Sequence, residues 1–179
     1  MAALDAWKHC PRCASPITPQ KGHVECGACG YRFWAHSQPT ACALVANGQG
    51  RLLLARRAGE PERGKWDLPG GFLAEGEHPL DALRRELREE TGLEVEPLDF
   101  VGAWIDRYGT GEEAPWTLNL YWTASIVVGE LHAADDVSEL RWFDPAALPP
   151  SGEIAFHTAE VVSAWRSRRL GGQAESALE

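Results

Sequence analysis

The sequence predicts an α/β fold: a mixed β-sheet between helices, preceded by a small metal-stapled module. Four cysteines fall as two Cys-x-x-Cys pairs near the N-terminus. Apolar, β-branched and aromatic runs of strand length then alternate with glycine-rich turns. Helical periodicity marks two segments, an acidic one after Leu68-Pro69-Gly70-Gly71-Phe72 and another near the C-terminus. A chain of 179 residues accommodates one domain plus an appendage. The expected division is a module over 1–36, a main domain over 37–170 and a flexible polar tail over 171–179.

In the module, Cys10-Pro11-Arg12-Cys13 and Cys26-Gly27-Ala28-Cys29 are separated by twelve residues. Each short loop can present two thiolates to one ion, and four thiolates complete a closed tetrahedral Zn²⁺ sphere with no position for water. The expected role is therefore structural. Two disulfides are the competing reading. With no secretory leader or transmembrane run legible, a reducing cytoplasm is expected, which favours zinc. His9 and His23 are surplus to the set, and Trp7 and Trp34 are expected to seat the module. A segment of about thirty residues has too little core to fold alone, so the metal would carry its stability.

Pro39 to Ala46 reads as a strand holding Cys42 as a buried residue, with Arg51 to Ala55 its hairpin partner across Asn47-Gly48-Gln49-Gly50. Gly64 to Phe72 leads into the acidic helix. Val95 to Tyr108 and Trp116 to Val128 form a hairpin around the polar loop Gly109 to Pro115. Leu140 to Phe143 is a short last strand. Glu153 to Arg168 reads as a helix with Ile154, Val161, Val162 and Trp165 as its apolar stripe.

The acidic helix carries the chemistry. Pro79 suits its first turn, Ala82, Leu83 and Leu87 recur at helical spacing, and Gly92 supplies the stop. Glu86, Glu89 and Glu90 share a face, where three carboxylates repel unless a cation neutralises them. Oxygen donors favour Mg²⁺ or Mn²⁺. A solvated face paired with Arg84, Arg85 and Arg88 is the alternative. The glycine approach would bring a backbone carbonyl and Glu77 up to the helix.

This segment resembles the Nudix box, Gly-x5-Glu-x7-Arg-Glu-U-x-Glu-Glu-x-Gly-U with U aliphatic, at Gly71, Glu77, Arg85, Glu86, Leu87, Glu89, Glu90, Gly92 and Leu93. The resemblance implies the Nudix-type α/β/α sandwich and hydrolysis of a nucleoside diphosphate linked to another moiety. It makes Glu86 and Glu90 the principal metal ligands, Glu89 a further ligand or the base, and the Gly71 carbonyl an additional contact. Arg85 is expected to pair with Glu77 and fix the loop on the helix. A zinc ribbon ahead of such a domain is similar to the NADH pyrophosphatase group and related hydrolases of NADH, FAD or ADP-ribose. That group's Ser-Gln-Pro-Trp-Pro-Phe-Pro-x-Ser signature is absent after Leu93, and Ser37-Gln38-Pro39 lies before the box. The substrate is left open. A non-catalytic nucleotide-binding regulator and removal of a nucleotide cap from RNA are the alternatives.

Arg56, Arg57, Trp104, Tyr108 and Trp116 are the candidate substrate contacts, arginines for phosphates and rings for a base. Lys65 is a weaker candidate of the same kind. Glu139, Asp135 and Asp136 are candidate carboxylates near the last strand. Seventeen basic against 26 acidic residues give a net charge of −9, which argues against a broad nucleic-acid or membrane footprint. The expected partner is a small-molecule nucleotide, and ribbon-bearing relatives suggest a homodimer.

Overall fold

The computed structural model describes residues 4–111 and 114–176, with side chains as far as Arg169. In the N-terminal module, β1 (His23–Glu25) pairs antiparallel with β2 (Arg32–Trp34). Its two cysteine loops have the same backbone. The Cys10 amide donates to Ser15 O and the Ala14 amide to Cys10 O, while the Cys26 amide donates to Tyr31 O and the Gly30 amide to Cys26 O. Trp7 stacks on Phe33 within this module, and Trp34 is exposed.

Two further sheets follow. One has the order β6-β3-β8-β7 and the other β5-β4-β9. Strand β3 (Gln38–Val45) runs parallel to β8 (Trp116–Gly129) and antiparallel to β6 (Gly70–Phe72). The predicted hairpin between β8 and β7 (Leu93–Arg107) forms, although residues 112 and 113 of its loop lie outside the described residues. The other predicted hairpin does not form. Both edges of β3 are taken, so β4 (Leu52–Arg57) meets it only at the Ala46–Leu52 bridge. Instead β4 pairs with β5 (Trp66–Asp67) and β9 (Val137–Phe143).

Both faces of β3 and β4 are covered, which explains their continuous apolar sequence. Ala41, Ala43, Val45 and Leu53 pack with Ala82, Leu83 and Leu87 of α1 (Pro79–Thr91). On the opposite face, Cys42, Leu44, Leu52 and Leu54 pack with Val161, Val162 and Trp165 of α2 (Thr158–Ser176). The layers form an α/β/α sandwich.

Helix α2 starts five residues later than the sequence suggests. Ser151–Glu153 is a 3₁₀ turn, the Ala155 amide donates to Trp66 O, and Phe156 adopts φ 47°, which a right-handed helix cannot contain. The helix continues to Ser176, so the expected tail from Gly171 begins inside it, and 177–179 lie outside the described residues. Among the described residues, no helix is long and apolar enough to cross a membrane.

Candidate active site

Helix α1 is capped at both ends by its own sequence. His78 accepts from the Leu80 amide, Pro79 opens the first turn, and Gly92 closes the helix in the left-handed region at φ 74°. The buried Ala82, Leu83 and Leu87 fix its rotation, so Glu86 and Glu90 face the glycine strand β6. The Gly70 amide donates to Glu90 Oε2 at 2.8 Å. A Cβ at Gly71 would meet the Glu86 carboxylate at 2.6 Å, so only glycine permits this approach.

Arg85 holds the loop to the helix. Its guanidinium forks onto Glu77 with two 2.8 Å bonds, reaches Glu86 Oε1 at 2.7 Å and Glu89 Oε2 at 3.0 Å, and donates to Phe72 O at 3.1 Å. This guanidinium draws Glu77 down to about 2, helped by the Ala74 amide. Glu86 and Glu90 shift the other way. Burial raises both, and Asp136 adds to the rise at Glu90, which lies well above the ordinary carboxylate range. Carboxylates held this close, with Arg85 pairing only Glu86 of the two, fit a divalent cation.

The cleft beside these carboxylates is lined by residues from β3, β4, β5, β6 and β8. Glu86, Glu90, Asp135 and Asp136 line it together with Arg57, Tyr108 and Phe156, and the Ala58 amide donates to Asp136 O beside Arg57. Arg57 donates to Tyr108 OH at 2.9 Å and to Pro61 O at 2.8 Å, lies 3.5 Å from Asp67, and sits over the Tyr108 and Phe156 rings. Asp67 is largely desolvated, which raises its pKa, and it accepts from the Leu68 amide and the Thr158 hydroxyl.

In the N-terminal module, the Cys10–Cys29 and Cys13–Cys26 sulfurs are 3.7 and 3.6 Å apart, and all four lie within 4.8 Å of one another. These are free thiols, far beyond the disulfide bond length of about 2.05 Å. They match the edge of about 3.8 Å expected of a tetrahedron with 2.3 Å metal–sulfur bonds. Ser15 draws Cys13 down to about 6. At Cys29 the Tyr31 amide is outweighed by the neighbouring Cys13 and by burial, which push it up to about 12. The cluster could hold a metal ion.

Residues 36–164 match the family model described as the NUDIX domain. The chain belongs to the NUDIX family. It is 28% identical over 179 residues to the NAD-capped RNA hydrolase NudC of Pseudomonas fluorescens, covering 95% of this chain but only 61% of that relative. It is 30% identical over 134 residues to the ADP-ribose pyrophosphatase of Methanocaldococcus jannaschii, covering 74% of this chain and 75% of that protein. In structure it is similar to a NUDIX hydrolase from Nitrosomonas europaea, with a TM-score of 0.75 at 21% identity, covering 93% and 94% of the two chains.

The NUDIX domain brings Gly71, Glu86 and Glu90 together at the cleft, with Arg57 and Tyr108 also in its lining. Asp135 and Asp136 also line the cleft, and the remaining sequence candidates lie elsewhere. Glu89 is exposed and turned to Arg85, and Glu77 and Arg85 stand behind the lining. Arg56 points away from its neighbour, as strand alternation requires, and bonds Gly64 O and Glu139 outside the cleft. Trp104 is not in the lining because it packs against Tyr121 and His157, and Trp116 lies on the surface under Arg107. Lys65 pairs with Glu62, and Glu139 with Arg141. Sequence reading missed Asp67, Tyr121, Phe156 and His157. Only the tertiary fold brings these four together, and no local motif marks them.

Proposed function

We propose that this chain is a divalent-metal-dependent pyrophosphohydrolase cleaving the diphosphate between a nucleotide and another moiety, of the NADH, FAD or ADP-ribose type, to AMP and a phosphorylated partner. The observation that carries the reading is the pair Glu86, half-buried, and Glu90, buried, set against Gly70 and Gly71, with Asp136 beside Glu90 in the cleft. Glu86 and Glu90, with the Gly71 carbonyl, would hold Mg²⁺ or Mn²⁺, and Glu89 is proposed as a further ligand or base. A bound ion would neutralise phosphoryl oxygens and help activate the attacking water. Arg85 and Glu77 position these ligands without touching substrate. Arg57, already oriented by Asp67 and Tyr108, would meet the diphosphate, while the Tyr108 and Phe156 faces offer a surface to a ring.

Cys10, Cys13, Cys26 and Cys29 are proposed to hold a structural Zn²⁺, with the module over 1–36 and the catalytic domain over 37–170. Four reduced thiols suit a reducing compartment such as the cytoplasm. A homodimer is the proposed assembly, checked by light scattering. Cap removal from RNA is the second reading, favoured by the match of 95% of the chain to a protein named for that activity.

The test is a panel of NADH, NAD⁺, FAD, ADP-ribose, diadenosine polyphosphates, nucleoside triphosphates and NAD-capped RNA with Mg²⁺ or Mn²⁺, products resolved by chromatography. AMP from one dinucleotide far faster than from the rest is expected. Preference for the capped RNA would support the second reading, and binding with no product would point to a regulator.

A further inference from the structure

The floor of the cleft carries a chain of hydrogen bonds that phosphate hydrolysis does not explain. Asp106 Oδ2 lies 3.2 Å from His157 Nδ1, and His157 Nε2 lies 3.0 Å from the Tyr121 hydroxyl. An ionised carboxylate only accepts, so in the neutral imidazole the proton sits on Nδ1 and Nε2 is the acceptor. In that tautomer Tyr121 donates its own proton to His157. Burial holds the phenol well above its ordinary pKa, so it remains a neutral hydroxyl.

The neighbouring hydroxyls are committed in the same sense. Thr40 donates to Asn119 Oδ1 at 2.8 Å, Asn119 Nδ2 donates to Thr117 Oγ1 at 2.9 Å, and Thr117 donates to Asp106 O at 3.3 Å. Strand register produces this alignment. Thr40 is the partner of Asn119, Cys42 of Tyr121, and Asp106 of Thr117 across β3, β8 and β7. Each hydroxyl proton points into the protein and each oxygen retains lone pairs. With Asp67 in the same lining, these groups make a floor that accepts hydrogen bonds and disfavours phosphate.

Resting on the pyrophosphohydrolase reading, we propose that this floor is the subsite for the non-phosphate moiety of the substrate, and that Tyr121 determines specificity by accepting a hydrogen bond from a hydroxyl or amino group there. His157 aims the phenol, and Asp106 is a positioning residue that fixes the imidazole tautomer. A ribose hydroxyl and the amino group of a base or carboxamide offer the same donor chemistry.

The experiment pairs substrates that differ by one donor. ADP-ribose is compared with its 2′- and 3′-deoxy analogues, and NAD⁺ with its hypoxanthine and nicotinic-acid counterparts, on the full chain with Mg²⁺. The wild type should prefer the donor-bearing member of one pair by about 10-fold or more. Tyr121→Phe should raise KM for that member with little change in kcat, and should close the gap within the pair. The pair that responds identifies the source of the donor. Asp106→Asn lets the imidazole take the other tautomer and should narrow the same gap. Because Asp106 is partly exposed, this variant keeps the test available if Tyr121→Phe fails to fold. Undiminished discrimination in a folded variant would overturn the proposal, as would loss of kcat at constant KM. Kd values from calorimetry on the same pairs separate the two readings. No turnover with discrimination retained in binding would sink the catalytic reading and leave the subsite standing.

Discussion

Glu90 shows how one residue can be poor for the empty fold and right for a bound ion. It is 6% exposed, and burial together with Asp136 raises its pKa well above the ordinary glutamate value of about 4.3. The sign follows. A raised folded-state pKa means the native state holds the proton more tightly, so this group is no burden below the unfolded pKa. Stability is lost as pH rises towards the folded value. Glu90→Gln removes the charge while keeping shape and an acceptor for the Gly70 amide. Without divalent metal, the variant should therefore melt higher than the wild type near neutral pH, with the difference shrinking towards pH 5. Turnover should fall about 100-fold or more, because several kcal/mol of charge stabilisation depend on the ion it would help hold. Thermal melts with and without Mg²⁺, beside an assay, check this, and full activity in the variant would remove Glu90 from the ligand set. Gly71→Ala is the steric counterpart. Its Cβ at 2.6 Å from the Glu86 carboxylate should displace that group, weakening activation by Mg²⁺ while the fold persists. A metal titration of activity measures the effect, and an unshifted curve would show that the approach is not needed. The box residues were legible because both ends of their helix and their glycines are written locally. Arg56 and Arg57 were not separable, since alternation gives opposite faces without saying which face is inward.

At the scale of elements, legibility followed how local the decisive partners are. Helix α1 carries its own cap, opening proline and left-handed stop, so its extent could be read directly. Strand β4 carries no mark of its neighbours, and its pairing with β9 joins Leu52 to Phe143 across half of the chain. Helix α2 was misplaced for a related reason, because the Ala155–Trp66 bond and the left-handed Phe156 replace helical geometry that periodicity favoured. The N-terminal module is local in the same sense as α1. Its two matching cysteine loops and one short strand pair leave its stability to the ion the thiols are proposed to hold. Cys26→Ser should abolish stoichiometric zinc, measured by elemental analysis, and reduce solubility. The effect on hydrolysis should be only partial, because no described residue of that module lines the cleft. Zinc content equal to wild type would refute the four-thiolate site, and complete loss of hydrolysis by a folded variant would show that the module does more than support itself.

For the whole molecule, the arrangement of charge decides between a small substrate and a polymer. The chain carries a net charge of −9. Among the described residues lining the cleft, Arg57 is the sole arginine or lysine, facing Asp67, Glu86, Glu90, Asp135 and Asp136. A diphosphate could be neutralised there by a bound ion and Arg57, but the described lining offers no second lysine or arginine to the further phosphates of a strand. Counterion release makes the distinction measurable, because log affinity falls with log salt by about 0.7 for each phosphate neutralised on a single strand. Three such contacts would cost about 20-fold between about 50 and 200 mM monovalent salt. The expected outcome for a dinucleotide is a kcat/KM that stays flat or rises over that range, since screening only relieves repulsion between an acidic enzyme and an anionic ligand. Measured at constant Mg²⁺ on the preferred dinucleotide and on NAD-capped RNA, a flat dinucleotide profile with weak capped-RNA activity would fit a small-substrate enzyme. A steep fall on the capped RNA, together with higher kcat/KM at low salt, would mean that a basic path for the strand exists in the assembled molecule and that cap removal is the better reading.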